Sequence, residues 1–141
     1  RDAQESRGLG DVYKRQVSLE EELRFTEAYL YLEKIRFGEA LQVIISSDGM
    51  QNHHTVIPAS LQMTVENAIK HNTATTKSPL IINIVISKEG IIVSNNLQLR
   101  TCVGTKNGMG LVNLRKQYSL HGRKLTVRRT TTEFVIQIPY V

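Results

Sequence analysis

Ile57-Pro58-Ala59-Ser60-Leu61-Gln62-Met63-Thr64-Val65-Glu66-Asn67-Ala68-Ile69-Lys70-His71-Asn72 is the stretch whose reading decides the fold. Proline opens it, where a helix loses nothing by a missing N–H. At about 100° per residue, Leu61, Val65, Ala68, Ile69 and Asn72 fall together as an apolar-dominated stripe, with Glu66, Asn67, Lys70 and His71 opposite. The pairs 66/70 and 67/71 are i,i+4 neighbours. The spacing predicts a helix that buries one side and gathers a carboxylate, an amide, an amine and an imidazole on the other. A solvated surface helix shows the same periodicity, so the string Glu-Asn-Ala-Ile-Lys-His and the sequence downstream must decide between them.

Upstream, Ser18-Leu19-Glu20-Glu21 has the form of a capping box, with Ser18 as N-cap and Val17 as the staple residue. The helix that follows is apolar on two sides, Leu19, Leu23, Leu30 and Phe37 on one and Phe25, Tyr29 and Leu32 on another. Such a helix is expected to meet more than its own sheet, either a neighbouring domain or a second copy. Leu41 to Ser47 reads as a strand ended by Asp48-Gly49, and His53-His54 is placed in an exposed hairpin. Downstream of the central helix, Thr73 to Pro79 reads as a polar loop. Leu80 to Ser87 and Ile91 to Ser94 are β-branched runs around a Lys88-Glu89-Gly90 hairpin. Leu97 to Asn107 lacks a period and reads as a long loop. Leu111 to His121 is a helix with Leu111, Leu114 and Tyr118 inward and Gly122 as its C-cap glycine. Lys124 to Arg129 and Phe134 to Tyr140 close the chain as antiparallel strands. Helices and mostly antiparallel strands in this order predict an α+β fold, a two-layer α/β sandwich with a mixed sheet.

The 141 residues, 40% of them hydrophobic, suffice for one core. Residues 1–16 are polar and aperiodic and read as a disordered or non-native leader, leaving residues 17–141 as one domain. No apolar run approaches the roughly 20 residues that span a bilayer. Cys102 is the single cysteine, which excludes an internal disulfide. The net charge of +5 is scattered. Its densest cluster, Arg123, Lys124, Arg128 and Arg129, lacks the aromatic interleaving of a nucleic-acid surface, so direct nucleic-acid binding is not expected.

Gly108-Met109-Gly110-Leu111 sits just before the last helix. Two glycines there let backbone approach a ligand, and free N–H groups at a helix start favour an anion. The segment is not a P-loop, lacking Gly-Lys-Ser/Thr, and no strand feeds into it as a Rossmann fingerprint requires. Lys106 and Asn107 lie upstream, as phosphate contacts or as solvated loop residues.

Leu19-Glu20-Glu21-Glu22-Leu23, Tyr29-Leu30, Glu33-Lys34-Ile35-Arg36-Phe37, Ile57-Pro58, Glu66-Asn67-Ala68-Ile69-Lys70-His71 and Gly108-Met109-Gly110-Leu111-Val112-Asn113-Leu114 follow one another in order. Together they resemble the C-terminal ATP-binding domain of LytS/YehU-type sensor histidine kinases, within the ATPase superfamily that includes gyrase, MutL and histidine kinases. The resemblance covers nearly all of the chain beyond the leader and implies a Bergerat-type fold holding ATP and Mg²⁺ under a mobile lid. It implies that Asn67 coordinates Mg²⁺, and that Glu66 lies near the γ-phosphate and helps activate the nucleophile. Lys70 and His71 would lie at the phosphates. Gly108, Met109, Gly110 and Leu111 would approach them through backbone, and Leu97 to Asn107 would form the lid. It also implies a response regulator as partner, commonly of LytTR type, and a homodimer in the full-length kinase. The location would be the cytoplasmic side of an inner-membrane sensor.

Two departures qualify this picture. Where the family's adenine-binding strand end carries Asp-x-Gly-x-Gly, this chain has Ser94-Asn95-Asn96-Leu97-Gln98. Asn95 stands at the aspartate's place as a neutral acceptor for the adenine amino group, or else Asn95 and Asn96 simply form a turn. The family's Pro-His-Phe acceptor motif is also absent, so the chain is expected to be a catalytic fragment acting on a histidine elsewhere. The alternative is a degenerate, non-catalytic module of the same fold, serving dimerisation or signalling with weak or no nucleotide binding.

Overall fold

The computed structural model describes residues 16–48, 53–100 and 109–141. The elements in chain order are β1 (Val17–Ser18), α1 (Leu19–Phe37), a 3-10 turn (Gly38–Ala40), β2 (Leu41–Ser47), β3 (Thr55–Val56), α2 (Ser60–His71), β4 (Leu80–Ile86), β5 (Gly90–Asn96), α3 (Met109–Leu120), β6 (Thr126–Arg129) and β7 (Glu133–Pro139). Five strands form a mixed sheet in the order β2-β4-β5-β7-β6, and β1 pairs with β3 in a separate two-stranded sheet. The β2–β4 pair is parallel, with Leu41 opposite Leu80, and the other pairs are antiparallel. The expected α+β sandwich with a mixed, mostly antiparallel sheet is the architecture observed.

Strand periodicity sets the core. Leu80, Ile82, Ile84 and Ile86 of β4 are buried, as are Ile91 and Val93 of β5 and Ile136 and Ile138 of β7, all on the side covered by helices. Alternate side chains point the other way, and Val85 is exposed there. Across this surface lies α2, inserting Leu61, Val65, Ala68 and Ile69, all buried. Each fully buried aliphatic side chain contributes about 1.5–3 kcal/mol, so the predicted apolar stripe anchors the helix. Leu114 and Tyr118 of α3 and Leu30 of α1 complete the layer.

The helix ends differ in how well they were foreseen. The Ser18 side chain accepts the Glu21 N–H at 3.1 Å, the expected N-cap. Val17, read as a staple residue, is a strand residue opposite Val56. Such a two-residue strand carries no periodic signal. Gly122 at φ 72 closes α3, its N–H reaching Ser119 and the Arg123 N–H reaching Tyr118, the paired bonds of a Schellman motif. Of the two apolar sides of α1, Leu19, Leu23, Leu30 and Phe37 pack on the core; of the other, Tyr29 also packs on it, whereas Phe25 is 59% and Leu32 63% exposed. His54 is not exposed in a hairpin but half-buried, stacked on Tyr140 with ring centroids 3.9 Å apart. Among the described residues no helix is long and apolar enough to cross a membrane.

Pro58 does not open α2. It lies in a turn, and the cap is Ala59, held in the left-handed region at φ 67 with no side-chain cap of its own. The cap comes instead from α1. Glu22, 1% exposed, accepts the Ala59 N–H at 2.9 Å through one carboxylate oxygen. Its other oxygen accepts the N–H groups of Leu61 and Gln62, at 2.9 and 3.3 Å. A negative charge at a helix N-terminus satisfies orphan donors and opposes the positive end of the helix dipole. From the other side, Tyr118 donates its hydroxyl to Ser60 Oγ at 3.2 Å and accepts the Ile57 N–H at 3.3 Å. Three helices thus meet at the start of α2. Glu22→Ala, which strands three N–H donors, is expected to cost about 2–4 kcal/mol, roughly 10 °C in melting temperature. Thermal denaturation followed by circular dichroism checks this, and a loss under about 1 kcal/mol contradicts it.

Candidate functional site

The polar side of α2 borders a cavity of about 640 Å³. Glu66, Asn67, Lys70 and His71 line it together with Met63 and Ile69 of the same helix. Tyr29, Glu33, Arg36 and Phe37 of α1 form a second wall, and Arg100, Gly110 and Leu111 close it. A second cavity of about 310 Å³ lies against the sheet, bounded by Ala68, Asn72, Leu97, Leu99, Arg129 and Phe134. Asn67, His71, Arg100 and Leu111 line both, so the two are halves of one groove. One half has apolar walls and the other is ringed by charge. Asn67 stands where they join.

The C-terminal end of α2 is tied to the chain leaving β5. Asn72, buried, donates to the Ala68 carbonyl at 2.9 Å and accepts the Gln98 N–H at 2.7 Å. The Thr73 N–H reaches the Gln98 carbonyl, and the Arg100 N–H reaches the His71 carbonyl at 3.1 Å. Gln98 also donates to the Thr73 and Ser78 carbonyls. Residues 97–100 are therefore not part of a free loop, as their lack of period suggested. They are pinned to α2, and the expected lid is left with residues 101–107, which lie outside the described residues.

Electrostatics follow from this crowding. His71 is held below the usual histidine pKa, chiefly by burial and then by the positive charges of Lys70 and Arg100. Tyr29 is pushed up to about 12 by burial, with the carboxylates of Glu33 and Glu66 adding to the shift and Arg36 opposing it. At neutral pH the first is an uncharged imidazole and the second a phenol that keeps its proton. The arrangement can hold an anion on the cations of Lys70, Arg36 and Arg100 while Glu66 accepts a proton.

The remaining expected site residues fall in different places. Asn95 and Asn96 form no turn. Both are strand residues of β5, opposite Phe134 and Glu133. Asn96 accepts the Ile81 N–H and donates to the Pro79 carbonyl, closing the start of β4. Asn95, 4% exposed, donates to the Asn96 carbonyl at 2.8 Å. It is not among the residues lining either cavity, but its cross-strand neighbour Phe134 forms the wall of the apolar half. Met109 and Gly110 lie within α3, which begins two residues earlier than its apolar pattern suggested. Gly110 and Leu111 border the groove, while Gly108 lies outside the described residues. A methyl group added at Gly110 would meet only Met63 Cε, at 3.6 Å, an ordinary contact, so packing does not demand glycine there. Among the described residues no group of three or more His, Cys, Asp or Glu side chains is placed to hold a metal ion, so a metal here would take its remaining ligands from a bound molecule and water. Sequence reasoning gave Tyr29, Glu33 and Arg36 no place in the groove, using Tyr29 as an apolar residue of α1 and all three only within the family resemblance, and it left Arg100 inside the expected lid.

The chain is similar to sensor kinases in sequence and in fold. Sensor protein kinase HptS of Staphylococcus aureus is 32% identical over 102 residues, covering 72% of this chain and 18% of that protein. The chain therefore spans less than a fifth of that relative's length. The catalytic domain of histidine kinase ThkA superposes with a TM-score of 0.57 at 22% identity, over 89% of this chain and 96% of that one. The cytoplasmic segment of histidine kinase QseC gives 0.58 at 15% identity, over 90% and 78%. No protein-family model matches the chain. The chain is thus homologous to a sensor kinase and has the fold of histidine kinase catalytic domains.

The lowered pKa of His71 has a consequence for stability. The unfolded chain binds this proton more readily, so the contribution is full above the ordinary histidine pKa and is lost as pH falls through the lowered folded value. An NMR titration of the His71 ring is expected to find its midpoint in the folded chain below that in the denatured chain. A midpoint above it contradicts the electrostatic picture.

Proposed function

We propose that the groove binds Mg-ATP and that the chain is the catalytic part of a two-component sensor histidine kinase of the LytS/YehU type. The carrying observation is the division of the groove, with an apolar half against the sheet, a charged half against α1, and Asn67 between them. A nucleotide has this same polarity, a flat base at one end and charged phosphates at the other. The S. aureus relative, a sensor protein kinase by name, supports the kinase reading.

The residues present fit the ligand. Ala68, Leu97, Leu99 and Phe134 offer apolar surface for a base. Asn95, the cross-strand neighbour of Phe134 and not itself a lining residue, is the strand residue that the resemblance assigns to the base's amino group, a neutral acceptor where a carboxylate would hold more tightly. The Asn67 side-chain oxygen is a hard donor of the kind Mg²⁺ takes, leaving its other positions to phosphate oxygens and water. Gly110, at the start of α3 and bordering the groove, carries no side chain between the phosphates and the backbone N–H groups of the helix start. Gly108, Met109 and Leu111 belong to the same assignment.

When bound, the nucleotide supplies a γ-phosphoryl group that passes to a histidine nitrogen, leaving ADP. Lys70 offsets the charge of the phosphates, and neutral His71 donates or accepts a hydrogen bond without adding charge. Glu66 accepts the proton of the incoming imidazole. We place that histidine on a dimerisation segment upstream of the region described, with a response regulator, commonly of LytTR type, as the next acceptor. In the full-length protein this domain would lie on the cytoplasmic side of the inner membrane as part of a homodimer.

Titration with a fluorescent ATP analogue tests the reading. Binding should require Mg²⁺ and weaken at least about tenfold in Asn67→Ala, whereas no binding at millimolar nucleotide contradicts it. Gly110→Ala should raise stability by about 0.5–1 kcal/mol, the gain of alanine over glycine within a helix, while weakening nucleotide binding. Unchanged binding in that variant contradicts the backbone approach assigned to Gly110.

A further inference from the structure

Tyr29, Glu33, Arg36 and Phe37 line the charged half of the groove and do not reach the apolar half. Asn67, His71 and Arg100 line both. Moving away from the apolar end, a bound molecule therefore meets the Asn67–His71–Arg100 junction first and the α1 wall last. The electrostatic couplings give the same order. His71, at the junction, feels Lys70 and Arg100, whereas Tyr29, on the α1 wall, feels Glu33, Glu66 and Arg36.

Arg36 is the cation of that far wall. Its Nη1 donates to Glu33 Oε1 at 3.2 Å, and its guanidinium carbon lies 4.9 Å from the Phe37 ring centroid. The Arg36 side chain is 67% exposed, so this ion pair is solvent-screened and readily exchanged. A guanidinium so placed has a preferred partner in a phosphate dianion, which it can grip with two parallel hydrogen bonds where Glu33 now holds one. The convergence of Arg36 from α1, Lys70 from α2 and Arg100 from the chain after β5 also exceeds what two carboxylates, Glu33 and Glu66, need for neutrality.

Resting on the nucleotide reading above, we infer that Arg36 binds the terminal phosphate of ATP and makes the groove distinguish ATP from ADP. Glu33 holds the guanidinium against the wall until that phosphate arrives. The first helix thereby carries part of the phosphate site as well as the cap of α2, so whatever packs against its exposed Phe25 and Leu32 acts on an element that touches the ligand.

The test is calorimetric titration of the chain and its Arg36→Ala and Arg36→Lys variants with Mg-ATP and Mg-ADP. Arg36→Ala should weaken ATP about tenfold, leave ADP unchanged and keep the melting temperature of the wild type, since the side chain is exposed. Arg36→Lys should recover part of the ATP affinity through its retained charge. Equal weakening of both nucleotides, or no weakening of ATP, overturns the assignment while leaving the nucleotide reading intact. A wild-type chain that binds neither nucleotide refutes that reading, and the assignment of Arg36 with it.

Discussion

The carboxylate of Glu22 is the interaction on which the rest of the molecule depends. A charge this deeply buried is costly unless its oxygens are satisfied, and here three backbone N–H groups at the start of α2 satisfy them. The same contacts remove the orphan donors that an uncapped, buried helix start would leave. They also hold Ala59 in a backbone region that a residue with a Cβ enters at a cost of about 1–2 kcal/mol. One side chain thus solves three problems, and in doing so fixes where α2 begins and which way it faces. With the start set by Glu22 and Tyr118 and the end tied through Asn72, the helix cannot turn its polar side out of the groove.

That constraint explains the shape of the groove. The first turns of α1 carry Glu22 and the cap, and its last turns carry Tyr29, Glu33 and Arg36 to the far wall of the cavity. Packing of the two helices, needed for stability, therefore also sets the distance across which a ligand must fit. On the opposite side the sheet supplies Phe134 and the chain after β5 supplies Leu97 and Leu99. The apolar half takes its surface from Phe134 of the sheet, the chain after β5 and Ala68 of α2, and the charged half from α1, α2 and Arg100.

How much of this was legible in the sequence depended on how local the signal was. The five strands of the main sheet and the buried stripe of α2 were readable because period-2 and period-3.6 patterns are written in neighbouring residues. The Ser18 cap and the Gly122 C-cap were readable for the same reason. The cap of α2 was not, because its partner lies 39 residues away from Leu61 and no spacing rule connects them. Pro58 offered a plausible local start, and the long-range carboxylate displaced it by two residues. The pinning of residues 97–100 was missed likewise, since Gln98 and Asn72 meet only once the strands are in register. Within the groove, Glu66, Asn67, Lys70 and His71 stood out as a clustered string. Arg36 and Arg100 each come from a different element, and only the fold brings them to one cavity.

The chain is homologous to a sensor kinase and shares the fold of histidine kinase catalytic domains; the proposal goes further and puts base and phosphates at opposite ends of one groove. The most direct test of that claim is a crystal structure of the chain with Mg²⁺ and a non-hydrolysable ATP analogue. The account predicts the base between Ala68, Leu97 and Phe134, the metal on the Asn67 oxygen, and the terminal phosphate toward α1. An analogue bound outside this groove, or with its base in the charged half, would contradict it.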